Sequence, residues 1–226
     1  KKPERIEELP DDGIALIWGY EANHPFEEQC EAFAKVGLGH YVCPGTSSWN
    51  TWAGRTANTL ANLANAARSG QKSGALGFLI TDWGDLGHMQ PLPVSYLGFL
   101  AGSAMSWNAS EAERIDEIDW TNLLDLHVFR DRAGLIGRIA CDLGNIYQLS
   151  GGPTFNASPL FRMLVLAQTR PPSSLEGLTK EGIHKAIEGI HKAVEDLSAT
   201  TMQRDDSEAI IEEFRWCADI LLFACH

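Results

Sequence analysis

Up to Asn108 the chain repeats one pattern three times: a short apolar run, a loop, and an amphipathic stretch. The apolar runs are Ile14 to Trp18, His40 to Cys43 and Ala75 to Ile80, each of strand length. After the first, Phe26, Cys30, Phe33, Ala34 and Val36 recur at near-helical spacing until Gly37 stops them. After the second, Leu60, Leu63, Ala64 and Ala67 form one stripe of a helix over 57–69, with Gly70 behind it. After the third, Ser95 to Trp107 reads as a helix dense in small residues. Gly74 and Gly77 lead into the third run, which predicts a strand covered on both faces. Repeated strand–loop–helix order predicts a parallel β/α protein, whose functional groups gather at the C-terminal strand ends. Three units fit either a small open sheet or the last part of a closed barrel.

From Asp116 onward the pattern is helical, which divides the chain into an α/β part, 1–115, and a helical bundle, 116–226. Asp119-Trp120-Thr121 opens a run that continues to Tyr147, and Ser150-Gly151-Gly152-Pro153 breaks it. Pro159 to Gln168 predicts a short helix, and Thr169 to Gly177 a Pro/Ser loop. A tandem heptad follows, with Ile183, Ile187, Ile190, Val194 and Leu197 forming an apolar seam. Two heptads fit packing within a bundle better than a free zipper. Ser207 to Cys225 predicts a last amphipathic helix, and the chain ends inside it, as a fragment would.

Composition narrows the partners. A net charge of −12 argues against nucleic acid and anionic membrane surfaces. No apolar run reaches the roughly 18 residues that span a bilayer. Ala209 to Cys225 comes closest, but Glu212, Glu213, Arg215 and Asp219 interrupt it. The cysteines, Cys30, Cys43, Cys141, Cys217 and Cys225, are odd in number and lack zinc spacing, so free buried thiols and a reducing, cytoplasmic compartment are expected. His24, His40, His88 and His127 show no metal-ligand spacing, and no cofactor fingerprint is present, so neither metal nor cofactor is expected.

The unusual residues all follow strands. Trp18, Tyr20 and Glu21 follow the first, Trp49, Asn50 and Trp52 the second, and Asp82, Trp83, Asp85 and His88 the third. Four of the seven tryptophans fall in these loops, where burying them is difficult. An indole beside two carboxylates suits a sugar: its flat face stacks on the ring, and the acids accept from hydroxyls. A helix-capping aspartate beside a core tryptophan is the alternative. Asp82 and Asp85 are three apart on one loop and suit contact with one sugar better than flanking a scissile bond.

These residues resemble the C-terminal half of a glycoside hydrolase family 20 β-N-acetylhexosaminidase. Trp83-Gly84-Asp85 resembles the family's Trp-Gly-Glu on the last barrel strand, where the tryptophan walls the sugar pocket and the acid binds outer hydroxyls. Pro91 through Asn108 resembles the following proline- and alanine-rich helix, Ile14 to Trp18 the strand that delivers another pocket tryptophan, and Lys35 to Pro44 the helix end and next strand. The family's Tyr-x-Asp is replaced by Thr46-Ser47-Ser48-Trp49-Asn50. Its catalytic Asp-Glu pair has no counterpart; Asp116-Glu117 lies in a charged helical region.

The resemblance implies the last three or so βα units of a (β/α)8 TIM barrel, followed by an all-α domain. It implies retaining, substrate-assisted removal of terminal N-acetylglucosamine or N-acetylgalactosamine by the intact protein. The missing N-terminal half of the barrel would supply the catalytic pair, leaving this chain inactive alone. The residues expected to bind sugar are Trp18, Glu21, Trp49, Asn50, Asp82, Trp83, Asp85 and His88. Trp18 and Trp83 would make ring contacts, Trp49 would stack, and Asp85 would hold O4/O6. The alternatives are a non-catalytic carbohydrate-binding module and a homodimer formed through the helical domain.

Overall fold

The structure, a computed structural model, describes residues 3–166 and 175–226 and is mixed α/β. Three parallel strands, β1 (Ala15–Trp18), β2 (His40–Cys43) and β3 (Gly77–Phe78), lie in that order. β1 pairs with β2 from Ala15↔His40 to Trp18↔Cys43, and Tyr41↔Gly77 and Val42↔Phe78 join β2 to β3. A bridge between Gly45 and Thr81 extends the last ladder. Parallel neighbours need a crossover, and α1 (Phe26–Lys35) and α2 (Thr56–Ser73) supply it.

Contacts sort the chain into two compact units that interleave along the sequence. Residues 1–45, 58–81 and 101–118 form one, and residues 46–57, 82–100 and 119–226 the other. The loops after β2 and β3 therefore group with the helical segment.

In the first unit the sheet is packed on one face. Ile17, Phe26, Cys30, Val42 and Ala66 form its core, with Phe33, Ala75 and Phe78 against them. Gly70 lets α2 approach Val42: an added Cβ would lie 3.1 Å from a valine methyl. Gly102, on α3 (Tyr96–Trp107), gives the same close approach to Ile80. The opposite face is largely bare. Leu16 is 55% exposed, Trp18 54% and Leu79 44%, while Tyr41 lies over Gly77. The expectation of a third strand buried on both faces is thus corrected. β3 is short, and Leu16, Trp18 and Leu79 stay exposed on the side of the sheet away from the helices.

In the second unit the predicted run from Asp119 to Tyr147 is not one helix. α4 (Trp120–Leu123) passes into a π-helical turn, Leu124–Phe129, which ends at Arg130 with φ 54°. α5 (Ile136–Leu143) restarts beyond it. Asp131 is the cause of the break. Its carboxylate accepts backbone N–H groups of Ala133, Leu135, Ile136 and Thr201, and so caps α5 and ties down a distant loop. α6 (Pro159–Phe161) continues into a second π-helical turn, Arg162–Leu166. The rest of that predicted helix and most of the loop predicted over 169–177 lie outside the described residues.

α7 (Lys180–Ala193) carries the heptads, but its buried line is Gly182, Ala186, Ile190 and Ala193, continued by Leu197. Ile183, Ile187 and Val194 flank that line half-buried. Small residues set this rotation, since a Cβ on Gly182 would meet the Ser150 carbonyl oxygen at 2.6 Å. α8 (Ser207–Cys225) matches its predicted bounds and buries Phe214, Cys217, Ala218 and Leu221. No helix among the described residues is long and apolar enough to cross a membrane.

Asp131 also makes stability pH-dependent. Burial pulls its pKa upward, but the N–H groups of Leu135, Thr201, Ile136 and Ala133 together outweigh this and hold it below the usual carboxylate value. The folded pKa lies below the unfolded one, so its stabilisation is complete above about pH 4 and is lost as pH falls through the folded pKa. Asp131→Asn should cost about 2–3 kcal/mol at pH 7 in urea unfolding, a cost that shrinks as pH falls through the lowered folded pKa. A loss independent of pH would contradict this.

Candidate functional site

Six of the eight residues expected to bind sugar, Trp49, Asn50, Asp82, Trp83, Asp85 and His88, fall in the second unit, on the loops after β2 and β3. Trp18 and Glu21 fall in the first.

Asp82 is the hub of the second-unit group. Its Oδ1 accepts from Thr46 Oγ1 (2.5 Å), Ser48 Oγ (2.6 Å) and Ser95 Oγ (3.0 Å). Ser95 Oγ also lies 2.9 Å from Ser48 Oγ. All three hydroxyl residues are buried, and Asp82 is only slightly exposed. Hydrogen bonds to a charged acceptor in a buried setting are the stronger kind. The other oxygen, Oδ2, lies 3.7 Å from His88 Nε2, an ion-pair distance if the imidazole is protonated. The serines donate straight to the carboxylate, so no Ser–His–Asp relay is built here.

Asp85 is exposed, and its Oδ2 accepts from Asn50 Nδ2 at 2.7 Å. Asn50 also donates to the Asn156 carbonyl (3.3 Å), and its own carbonyl accepts from Ser158 N–H (2.9 Å). The Trp49 indole N–H donates to Asn156 Oδ1 at 2.9 Å. Ser158 Oγ donates to the Thr51 carbonyl, and Arg55 Nη1 to the Thr154 carbonyl. The segment 154–158 thus braces the loop after β2.

The backbone is strained in these same segments. Seven non-glycine residues among those described have left-handed φ. Six of them are Ser47 (53°), Asn50 (56°), Trp52 (86°), Asp85 (40°), His88 (53°) and Asn156 (53°). Each such residue costs on the order of 1–2 kcal/mol and persists only where its surroundings over-determine it. Strain of this kind clusters at binding and catalytic sites.

The aromatic residues divide into two kinds. Trp83 is 48% exposed, next to Asp82 and near Asp85 in sequence. Trp49 is 2% exposed and Trp52 is also buried, the latter against Phe161 and Trp216. Trp49 is therefore not an open stacking platform here; it is a strut for the loop. For Trp49 and Trp52 the expectation of unburied loop tryptophans fails, because this loop packs as core. In the first unit, Trp18 is exposed and stacks on Tyr20 (centroids 5.6 Å, 25°), and Glu21 is half-buried.

Sequence reasoning missed Thr46, Ser48, Ser95, Asn156 and Ser158 as parts of the site. The polar run Thr46-Ser47-Ser48 after a strand was the available signal, because buried hydroxyls need an acceptor.

Burial pushes Cys43 and Cys225 up to about 11, Cys141 up to about 12, and Cys30 and Cys217 upward as well. No disulfide and no cluster of three metal-ligating side chains occurs among the described residues. No protein-family model matches the chain, and no curated protein matches it significantly.

Removing the hub should cost more than removing the outer acid. Asp82→Ala strands three buried hydroxyls and should destabilise by about 2–4 kcal/mol. Asp85→Ala should cost under about 1 kcal/mol, because that carboxylate is exposed. Urea midpoints of the two variants check this; equal losses would show that the hydroxyl cluster stabilises nothing.

Proposed function

We propose that this chain is the sugar-binding part of a retaining β-N-acetylhexosaminidase. The observation that supports it most is the exposed Trp83 on a strained loop with Asp82 and with Asp85, whose carboxylate accepts from Asn50. An aromatic face with a few fixed polar groups is how proteins hold an amphipathic ring. The resemblance of Trp83-Gly84-Asp85 to the family's Trp-Gly-Glu gives the same roles: Trp83 walls the pocket and Asp85 accepts from outer hydroxyls.

The sheet supports the finer fold reading, a segment of a (β/α)8 barrel. Parallel sheets are normally covered on both faces. Here the strands run in sequential order, helices pack on one face, and the other face exposes Leu16, Trp18 and Leu79. Further strands closing a barrel would cover that face. Such strands are also where the resemblance places the catalytic Asp-Glu pair. In the substrate-assisted reaction that Asp orients the 2-acetamido group, whose oxygen attacks the anomeric carbon, while the Glu protonates the leaving oxygen. This chain contributes binding.

Calorimetric titration of the chain with N-acetylglucosamine tests the reading. Binding is expected, and Trp83→Ala should weaken it at least about tenfold, roughly 1.4 kcal/mol, with the thermal midpoint nearly unchanged. No binding by the wild-type chain, or full affinity in Trp83→Ala, would contradict it.

A further inference from the structure

Helix α2 turns a line of asparagines toward the loop that follows β1. Asn58, Asn62 and Asn65 recur four and three residues apart, so they share one face. Asparagine is a poor helix former because its side chain competes for nearby backbone groups. Three of them on the inner side of one helix call for a cause, and the hydrogen bonds supply it. Asn62 is fully buried; its Nδ2 donates to the carbonyls of Gly19 (3.0 Å) and Glu21 (2.9 Å), and its Oδ1 accepts from Gly45 N–H (3.1 Å). Asn58 donates to the Tyr20 carbonyl (2.7 Å) and accepts from Ala22 N–H (2.9 Å). Asn65 donates to the carbonyls of Ala22 (3.0 Å) and His24 (2.8 Å) and accepts from Ser69 Oγ (3.3 Å).

The loop therefore has its backbone satisfied by helix side chains instead of a neighbouring strand. It is also closed on itself. The His24 ring lies so near Gly19 that a Cβ there would meet it at 2.1 Å, and Glu21 O accepts from His24 N–H at 3.0 Å. The residues so fixed are the stacked pair Trp18 and Tyr20 and the acid Glu21. A binding loop locked by surrounding hydrogen bonds loses less freedom when ligand arrives.

We infer that Asn62, with Asn58 and Asn65, is a positioning residue that holds Trp18, Tyr20 and Glu21 as a preformed contact for a pyranose ring. The sugar part of this inference rests on the function proposed above. Asn62 also accepts from Gly45 N–H, so one amide sets the loop after β1 and the end of β2 together.

Hydrogen exchange of the full chain, read by mass spectrometry, tests the positioning. Asn62→Asp keeps the shape but replaces two N–H donors with a carboxylate facing two carbonyls. Asn65→Ala is the milder companion, because Asn65 is only half-buried. Both should raise exchange at the Ala22 and His24 amides at least tenfold and leave α1 protected, and both should weaken N-acetylglucosamine binding at least about fivefold. Unchanged exchange at Ala22 and His24, or an equal rise across α1, in Asn65→Ala would overturn the inference, whatever becomes of Asn62→Asp. If the wild-type chain binds no sugar while the loop exchanges as stated, the positioning stands and the sugar reading falls.

Discussion

One carboxylate oxygen organises the candidate site. Asp82 Oδ1 gathers hydroxyls from Thr46, Ser48 and Ser95, and so joins the loop after β3, the loop after β2 and the approach to α3. Oδ2 of the same carboxylate lies 3.7 Å from His88 Nε2. The strained residues Ser47, Asn50, Trp52, Asp85 and His88 sit on the two loops that this contact ties together. This tie and the brace from 154–158 together hold those backbone angles, each of which is unfavourable by itself.

The same economy appears in the first unit, with different groups. Side-chain amides of α2 take the place that a neighbouring strand would fill for the loop after β1. In both units irregular backbone is made rigid by polar side chains from an adjoining element. Rigid loops at strand ends are what a binding site requires. The two cases also explain why so many polar residues are buried here: Asn58, Asn62, Thr46, Ser48 and Ser95 all answer a nearby backbone group or acid.

Much of this was legible in the sequence, for identifiable reasons. Short apolar runs bounded by Gly and Pro located β1 and β2, because strand length and turn chemistry are local properties. α8 was legible because its apolar stripe is long and uninterrupted. The break at Arg130 was not, because it depends on Asp131 capping amides as far away as Thr201. The rotation of α7 was hidden because Gly182 and Ala186 count as weak apolar signals, yet they decide how closely the helix approaches its neighbour. Of the candidate site, the acids and Trp83 were readable as strand-end residues. The burial of Trp49 was not readable, because its indole meets Asn156, more than a hundred residues away in the chain.

The central proposal is that Trp83 meets a sugar ring, while Trp49 and Trp52 serve the fold. The indole N–H signals of the labelled chain, followed by NMR as N-acetylglucosamine is added, test this directly. The account predicts that the Trp83 signal shifts with saturation and that those of Trp49 and Trp52 stay in place. Shifts confined to Trp49 and Trp52, or none at any tryptophan, would contradict it.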